Sequence, residues 1–139
     1  MRFWDTSAIV PLLADQPASR TVARLFRQDP VVVAWWGTPV ECWSAIARLR
    51  RAGIFDAKDE SAARRHLDVL RRGWVEVLPG EKVREHASRL LRTHDVRAAD
   101  ALQLASALVW AGSPPTGEIV SFDDRLRAAA RAEGFALAI

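Results

Sequence analysis

The 139-residue sequence has one cysteine, no tyrosine and no uninterrupted apolar run long enough to span a membrane. A single cysteine, Cys42, excludes an internal disulfide. The N-terminus has no small-residue cleavage site, so we expect no signal peptide and predict a reduced, cytoplasmic protein. Half of the residues are hydrophobic and 27% are charged, which excludes a disordered or fibrous chain. At this length we expect one domain, residues 1–139.

Acidic residues are slightly fewer than basic residues. The 20 basic residues against 17 acidic ones leave a formal charge of +3, and all but two of the basic residues are arginine. The planar guanidinium of arginine matches phosphate oxygens. The composition is therefore compatible with a nucleic-acid partner without requiring one.

Short apolar runs alternate with helical patterns along the whole chain. Strands are predicted at 2–4, 31–35, 74–78, 119–122 and 135–138, and helices at 38–51, 57–72, 98–111 and 124–133, with further helical stripes around Val22 and Ala87. Pro11 is expected to kink or break the helix after Asp5. Gly53, Gly73, Gly112 and Gly134 are expected to end helices in a left-handed conformation. The alternation predicts a mainly parallel sheet with helices on both faces, whose ligands bind beyond the carboxyl ends of the strands.

Acidic residues follow several predicted strands, and most have a purely structural alternative. Asp5 ends the first strand and can cap the next helix. Glu41 lies three residues after Thr38, which is the spacing of a capping box. Asp123 and Asp124 follow the fourth strand, and either can be a helix cap.

Asp100 is harder to explain structurally. Eleven of the fourteen residues from Ala98 to Ala111 are apolar, and the exceptions, Asp100, Gln103 and Ser106, form one narrow polar stripe. A helix that is apolar on nearly all sides is buried, and a buried carboxylate needs a cation, a metal or water. The alternative is that this stripe faces solvent.

In a parallel sheet Asp5, Glu41, Asp100 and Asp123 can all converge on one edge. Several carboxylates share a site in ionised form only when a cation neutralises them. Oxygen ligands favour Mg²⁺ or Mn²⁺ over zinc. The three histidines, His66, His86 and His94, do not pair at metal-binding spacing, and Cys42 has no companion, so neither a zinc site nor a Cys-His nucleophile is expected.

Four motifs in order carry a family resemblance. DTSAIV at 5–10, TPVECWSAIAR at 38–48, RAADALQLASAL at 97–108 and SFDDRLRAAARAEGF at 121–135 resemble the PIN-domain ribonucleases, above all the VapC-type toxins of bacterial toxin–antitoxin pairs. The resemblance spans nearly the whole chain. It implies a PIN-like α/β fold with a five-stranded, mainly parallel sheet flanked by helices on both faces. It also implies a Mg²⁺-dependent endoribonuclease that is a toxin, with an RNA substrate, a VapB-type antitoxin as partner, and a homodimer.

By the family's motif, Asp5, Glu41, Asp100 and Asp123 are the acidic tetrad. We expect Asp5 and Asp100 to be the main metal ligands, and Asp123 to bind directly or through water. Glu41 then positions or deprotonates the attacking water.

Other residues have supporting roles in this interpretation. Thr6, Ser7 and Ser121 orient the carboxylates. Ser121 stands where the family often has threonine, and Asp124 is an acid that the motif does not require. Arg97 is a candidate phosphate contact, with a solvated surface arginine as the alternative.

The remaining expectations concern competing functions and interfaces. A partner-binding module without activity stays open, and an aspartate-nucleophile phosphatase is disfavoured because Ser7 stands where that family needs aspartate. One of Trp35 and Trp36 could stack on a base, although core packing or a subunit interface also explains them. The apolar stripe Ala63, Leu67 and Leu70, with the six tryptophans, predicts a dimer surface. An antitoxin is expected to place an amphipathic helix in an apolar groove and deliver an arginine to the acids.

Overall fold

A computed structural model describes residues 1–139 as seven helices around a five-stranded sheet. The strands are β1 (Arg2–Trp4), β2 (Val32–Trp35), β3 (Val75–Val77), β4 (Glu118–Val120) and β5 (Ala136–Leu137). The helices are α1 (Thr6–Leu13), α2 (Ser19–Gln28), α3 (Thr38–Arg51), α4 (Ala57–Arg71), α5 (Glu81–Thr93), α6 (Ala98–Ala111) and α7 (Asp124–Ala132). The α/β class that the sequence predicts is confirmed.

All five strands are parallel, in the order β3-β2-β1-β4-β5. At the centre, Phe3 of β1 lies opposite Val33 of β2 and Ile119 of β4. After β1 the chain adds β2 and β3 on one side and later returns to add β4 and β5 on the other. Strand order therefore reverses between β1 and β4, the kind of position at which open parallel sheets bind their ligands.

The sheet is covered on both faces, because alternate residues of each strand point to opposite sides. Phe3 and Val33 pack on one side into a core with α5, α6 and α7. Trp4, Val32 and Ala34 pack on the other side into a core with α1, α2, α3 and α4. Burial on both faces explains why the central strands are continuous apolar runs rather than alternating ones.

Proline and glycine account for two departures from the predicted local structure. Helix α1 runs through Pro11 and ends two residues later, so of the kink or break expected at Pro11 the break is wrong. The proline ring has a helical φ and removes only one intrahelical hydrogen bond, which a helix this short tolerates close to its end. Gly53, Gly112 and Gly134 have positive φ, as predicted, whereas Gly73 does not.

The apolar stripe of α4 is part of the core. Ala63 and Leu67 are fully buried against the sheet, and Leu70 is partly buried against the same cluster. The prediction that this stripe offers a dimer surface is therefore wrong for Ala63 and Leu67, whereas Leu70 keeps part of its surface exposed. Trp35 is also in the core, whereas Trp36, one residue later, is half exposed.

None of the seven helices is both long enough and apolar enough to cross a lipid bilayer.

Candidate active site

A cleft of about 420 Å³ lies beyond the carboxyl ends of β1 and β4. Its walls are Asp5, Thr6, Ser7, Val10, Pro11, Gln16, Glu41, Ala45, Arg48, Leu49, Asp100 and Asp123. All four predicted acids therefore line one cleft, although they come from four separate parts of the chain. Each acid lies at or near the start of a helix whose N-terminus borders the cleft. These helices are α1 for Asp5, α3 for Glu41, α6 for Asp100 and α7 for Asp123.

Asp5 follows β1 directly and is the N-cap of α1. Its Oδ2 accepts hydrogen bonds from the Ser7 backbone N–H at 3.2 Å, the Ser7 hydroxyl and the Ser121 hydroxyl at 2.9 Å. None of these bonds reaches Oδ1. Only 6% of Asp5 is exposed, and this burial raises the pKa of its carboxyl, against the lowering effect of the two serines. The charge of nearby Asp123 raises the pKa of Asp5 further.

Ser7 and Ser121 join β1 to β4 at the floor of the cleft. Besides donating to Asp5, the Ser7 hydroxyl accepts from the Phe122 backbone N–H at 2.9 Å. The Ser121 hydroxyl accepts from the Asp123 backbone N–H at 3.0 Å. Together with the Ser121 bond to Asp5, these bonds tie the loop that carries Asp123 to the loop that carries Asp5. The orienting role expected of both serines stays a prediction.

Asp123 is the N-cap of α7 and also lines the cleft. Its Oδ1 accepts from the Leu126 backbone N–H at 2.8 Å, which satisfies one of the free donors at the start of that helix. Asp124 is different, because its side chain is 93% exposed and pairs with Arg127 at 3.2 Å. Asp124 does not line the cleft, so this acid, which the family motif does not require, lies outside the site.

Glu41 does not cap its own helix. Gly37 is the N-cap of α3, no side chain caps this end, and the Thr38–Glu41 capping box is not formed. Glu41 Oε2 instead accepts from the Thr6 hydroxyl at 2.9 Å, and both of its carboxylate oxygens lie 3.2 Å from Gln103 Nε2. Burial raises the pKa of Glu41, an effect that the Gln103 and Thr6 hydrogen bonds oppose.

The polar stripe of α6 faces inward. Gln103 is 1% exposed and Ser106 is fully buried, so the alternative of a solvent-facing stripe is wrong. Asp100 is half buried in the first turn, where its Oδ2 accepts from the Arg97 backbone N–H at 3.1 Å. In the sequence Gln103 is visible as a member of this stripe, but its contact with a cleft acid was not predicted. The three-residue spacing from Asp100 is the signal that places Gln103 on the same face of the helix as Asp100.

No arginine or lysine forms a salt bridge with any of the four cleft acids. Arg97 is exposed and does not line the cleft. Arg125 lies 3.9 Å from Asp95, outside the site. The cation that does line the cleft is Arg48, which sequence reasoning missed. The sequence feature that could have identified Arg48 is its helical spacing, because it lies seven residues after Glu41 and therefore on the same face of α3.

The donor chemistry of the cleft fits a hard divalent cation. The acids offer only oxygen atoms. Asp5 accepts its hydrogen bonds through Oδ2 and none through Oδ1, and none of the four acids forms a salt bridge with an arginine or lysine. No three Asp, Glu, His or Cys side chains converge closely enough to enclose an ion. This is compatible with Mg²⁺, which is commonly held by one or two carboxylates and retains several waters. The metal roles of Asp5, Asp100 and Asp123 stay predictions.

Cys42 does not supply a nucleophile. It is fully buried, and burial, aided by the charges of Glu41 and Asp5, raises the pKa of its thiol to about 12. A thiol with this pKa is protonated at neutral pH and unreactive.

The family model of the PIN domain matches residues 2–132. The chain belongs to the PIN-domain family. It is 30% identical over 142 aligned residues to ribonuclease VapC45 of Mycobacterium tuberculosis strain CDC 1551, covering 95% of this chain and 90% of that protein. Ribonuclease VapC49 of M. tuberculosis strain H37Rv matches with the same identity and coverage.

Solved structures share the fold of this PIN domain. The sarcin-ricin loop cleaving toxin VapC20 of M. tuberculosis superposes with a TM-score of 0.73 at 22% identity, covering 98% of this chain and 97% of that one. FitAcB of Neisseria gonorrhoeae gives a TM-score of 0.66 at 21% identity, with 99% and 96% of the two chains covered. The family match also separates this PIN domain from the aspartate-nucleophile phosphatases, in agreement with serine at position 7.

Proposed function

We propose that this PIN domain is a Mg²⁺-dependent endoribonuclease and the toxin of a toxin–antitoxin pair. The observation that carries the proposal is the set of four carboxylates around one cleft, none of which forms a salt bridge with an arginine or lysine of the chain. Such a set needs a bound cation before all four can be ionised together. The relationship to VapC45 and VapC49, which are named as ribonucleases, supports RNA as the substrate.

Asp5 and Asp100 are the residues that would mainly hold the metal, and Asp123 would bind it through water. Mg²⁺, with Mn²⁺ as a possible substitute, supplies charge neutralisation at the phosphoryl oxygens and lowers the pKa of bound water. Ser7 and Ser121 hold Asp5 Oδ2 in place. Because Oδ2 is fixed in this way, Asp5 Oδ1 also has a defined direction, and binding a metal through Oδ1 would require no further ordering of the side chain.

Glu41 is the residue that would orient the attacking water and accept its proton. Burial raises the pKa of Glu41, and a carboxylate with a raised pKa is a stronger base while it remains ionised. The Thr6 hydroxyl, 2.9 Å from Oε2, keeps the carboxylate beside Asp5 rather than at the end of its own helix.

Arg48 is better placed than Arg97 to contact an RNA phosphate. Long side chains on a helix lean towards its N-terminus, which for Arg48 is the direction of Glu41. Between them on this face is Ala45, whose small side chain leaves the cleft open. Arg48 has no carboxylate partner within salt-bridge distance, so its guanidinium is available to a phosphate.

The experiment that tests the proposal is cleavage of a mixed-sequence RNA by the purified protein with Mg²⁺ and with excess EDTA. We expect cleavage with Mg²⁺ or Mn²⁺, none with EDTA, and none by an Asp100→Asn variant. Asp124→Asn is the matched control, since Asp124 carries the same charge outside the cleft. A folded protein that binds an antitoxin and cuts no RNA would instead support the partner-binding alternative.

A second surface fits the antitoxin that we propose as partner. An apolar groove of about 410 Å³ lies between α1, α2 and α4, and its walls include Leu12, Phe26, Val69, Leu70 and Trp74. An amphipathic helix buries its apolar face in a groove of this kind. We propose that the groove receives such a helix and that the adjoining antitoxin tail delivers an arginine to the acids.

Competition with metal tests this mode of inhibition. We expect rising Mg²⁺ to weaken inhibition by the antitoxin tail, and replacement of the tail arginine by alanine to restore cleavage while the complex persists. Inhibition that is independent of both Mg²⁺ and the arginine would indicate simple blocking of the cleft.

We also propose a homodimer, on a surface other than α4. Trp36, Val40 and Leu78 follow the ends of β2 and β3 and are 51%, 57% and 65% exposed. A cluster of large exposed apolar side chains is typical of an interface. Sedimentation at micromolar concentration should give a dimer, and a clean 15.4 kDa species would refute it.

A further inference from the structure

Gln103 occupies an unusual position for a polar side chain. It lies one turn after Asp100 on a helix in which eleven of the fourteen residues are apolar, and it is 1% exposed. Its Nε2 lies 3.0 Å from Thr6 Oγ1, 3.2 Å from Thr38 Oγ1 and 3.2 Å from each oxygen of Glu41. This single nitrogen therefore connects α6 to the start of α1 and to the first turn of α3.

The orientation of the amide follows from its neighbours. An amide carbonyl facing the Glu41 carboxylate would place two acceptors in contact, so the NH₂ group must face Glu41. The Thr6 hydroxyl donates its own hydrogen to Glu41 Oε2 at 2.9 Å, which leaves its oxygen free to accept from Gln103. Gln103 can thus donate to Thr6 and to Glu41, and Thr6 donates to Glu41, so the Glu41 carboxylate is the final acceptor of this group of hydrogen bonds.

Gln103 also carries a cost that packing does not explain. Its Oε1 is buried and has no hydrogen-bond partner. An unsatisfied buried acceptor destabilises a protein, and an apolar residue of similar size would avoid that cost. A buried side chain that leaves its acceptor unpaired while its donor bonds a cleft acid is typical of a functional site, where stability and activity conflict.

We propose that Gln103 is a positioning residue that fixes the Glu41 carboxylate for its role in RNA cleavage. Gln103 does not line the cleft, so it acts through Glu41 and not on the substrate. The glutamate side chain has three rotatable bonds, and bonds from Gln103 and Thr6 remove that freedom before substrate arrives. The inference rests on the proposed function for its catalytic consequence, whereas the contact itself can be tested without activity.

The kinetic test is Gln103→Met, which keeps the length and shape of the side chain and removes the donor. We expect kcat to fall by about 10-fold to 100-fold, as when a residue that orients a metal-site group is lost, with KM for RNA almost unchanged. Ser106→Ala is the matched control. Ser106 is buried one turn further along the same face, but its hydroxyl donates to the Leu102 carbonyl of its own helix.

Thermal unfolding separates positioning from a structural role. Gln103→Met removes an unpaired acceptor together with the donor to Glu41, so its two effects on Tm oppose each other, and kcat measured well below Tm should fall while the protein stays folded. In a Glu41→Gln background Gln103→Met should change the residual rate less than twofold. Full activity of Gln103→Met, or a loss of the same size in both backgrounds, would overturn the proposal.

A measurement on the metal-free protein keeps the contact testable if no RNase activity is found. The side-chain amide resonances of Gln103 in a ¹H–¹⁵N spectrum should shift markedly on Glu41→Gln substitution. Those of Gln28, which is exposed, should not. Unchanged Gln103 resonances would show that the amide does not hold Glu41. A wild-type protein that fails to cut RNA, but shows the shift, would contradict the proposed function alone.

Discussion

Replacement of Asp5 by asparagine should abolish cleavage and stabilise the metal-free protein. Asparagine keeps the shape of the side chain and an oxygen that can accept from Ser7 and Ser121. Burial raises the pKa of Asp5 above its ordinary value of 3.8, which means that the fold favours the neutral form. A neutral amide in the same place avoids the cost of burying the charge. We expect a gain of about 0.5–2 kcal/mol at pH 7 in EDTA, the usual range for one stabilising substitution.

The pH dependence of this gain has a definite sign. Because the folded protein holds the Asp5 proton more tightly than the unfolded chain, the wild type loses stability as pH rises from 3.8 through the raised pKa. Below pH 3.8 Asp5 is protonated in both the folded and the unfolded protein, so its burial no longer affects the free energy of unfolding through ionisation. The advantage of Asp5→Asn should therefore be complete at neutral pH and disappear as pH falls towards 3.8.

Metal should reverse the order of stability. Saturation with Mg²⁺ at about 100 times its Kd stabilises the wild type by about 2.7 kcal/mol, and Asp5→Asn should gain little of this. Each kcal/mol corresponds to about 3–4 °C in Tm for a domain of this size. Thermal unfolding in EDTA and in Mg²⁺, beside RNase assays, measures both effects. An Asp5→Asn protein that is less stable in EDTA, or that cleaves RNA at the wild-type rate, would refute the reasoning.

Three other substitutions have predictable effects. Glu133→Gln should destabilise the protein by about 0.5–1 kcal/mol at pH 7, because its partner Arg89 is 45% exposed and solvent screens the pair. The Arg89 hydrogen bond holds the pKa of Glu133 at about 2, so in urea titrations this penalty should shrink as pH falls from 4.5 towards that value. Gly37→Ala should cost about 1–3 kcal/mol, because a Cβ there would lie 2.3 Å from Trp35 Nε1, and an unchanged urea midpoint would contradict this. Arg48→Gln should lower the slope of log Kd against log salt for single-stranded RNA by about 0.7, measured by anisotropy in EDTA.

The fold was predictable because local signals agree with one another along the chain. The predicted bounds of α3 and α6, residues 38–51 and 98–111, coincide with the structure. Both helices have their ends marked in the sequence, by Pro39 at the start of α3 and by Gly53 and Gly112, which have positive φ, beyond the ends. Strand ends were less well predicted, as in 31–35 against Val32–Trp35, because strand ends depend on pairing with neighbours.

The site was predictable as a set of acids but not as a set of contacts. Glu41 has the right spacing for a capping box, yet its partners, Thr6 and Gln103, are 35 and 62 residues away in sequence. No local pattern reveals a hydrogen bond over that separation. The same limit applies to Arg97 and Arg48. Arg97 is close to Asp100 in sequence and lies outside the cleft, whereas Arg48 reaches the cleft through the helix that carries Glu41.

The structural and functional interpretations of Asp5 and Asp123 turn out not to compete. Each carboxylate is a helix cap, and each caps with one oxygen only: Asp5 through Oδ2 and Asp123 through Oδ1. The second oxygen of each takes no part in its cap, and both residues line the cleft. A parallel sheet begins its helices beyond the carboxyl ends of its strands, so the residue best suited to start a helix also stands at the ligand-binding edge. In this fold an aspartate at that position can serve the helix and the cleft together. A helix-capping pattern directly after a strand is therefore no argument against a functional role for the capping aspartate.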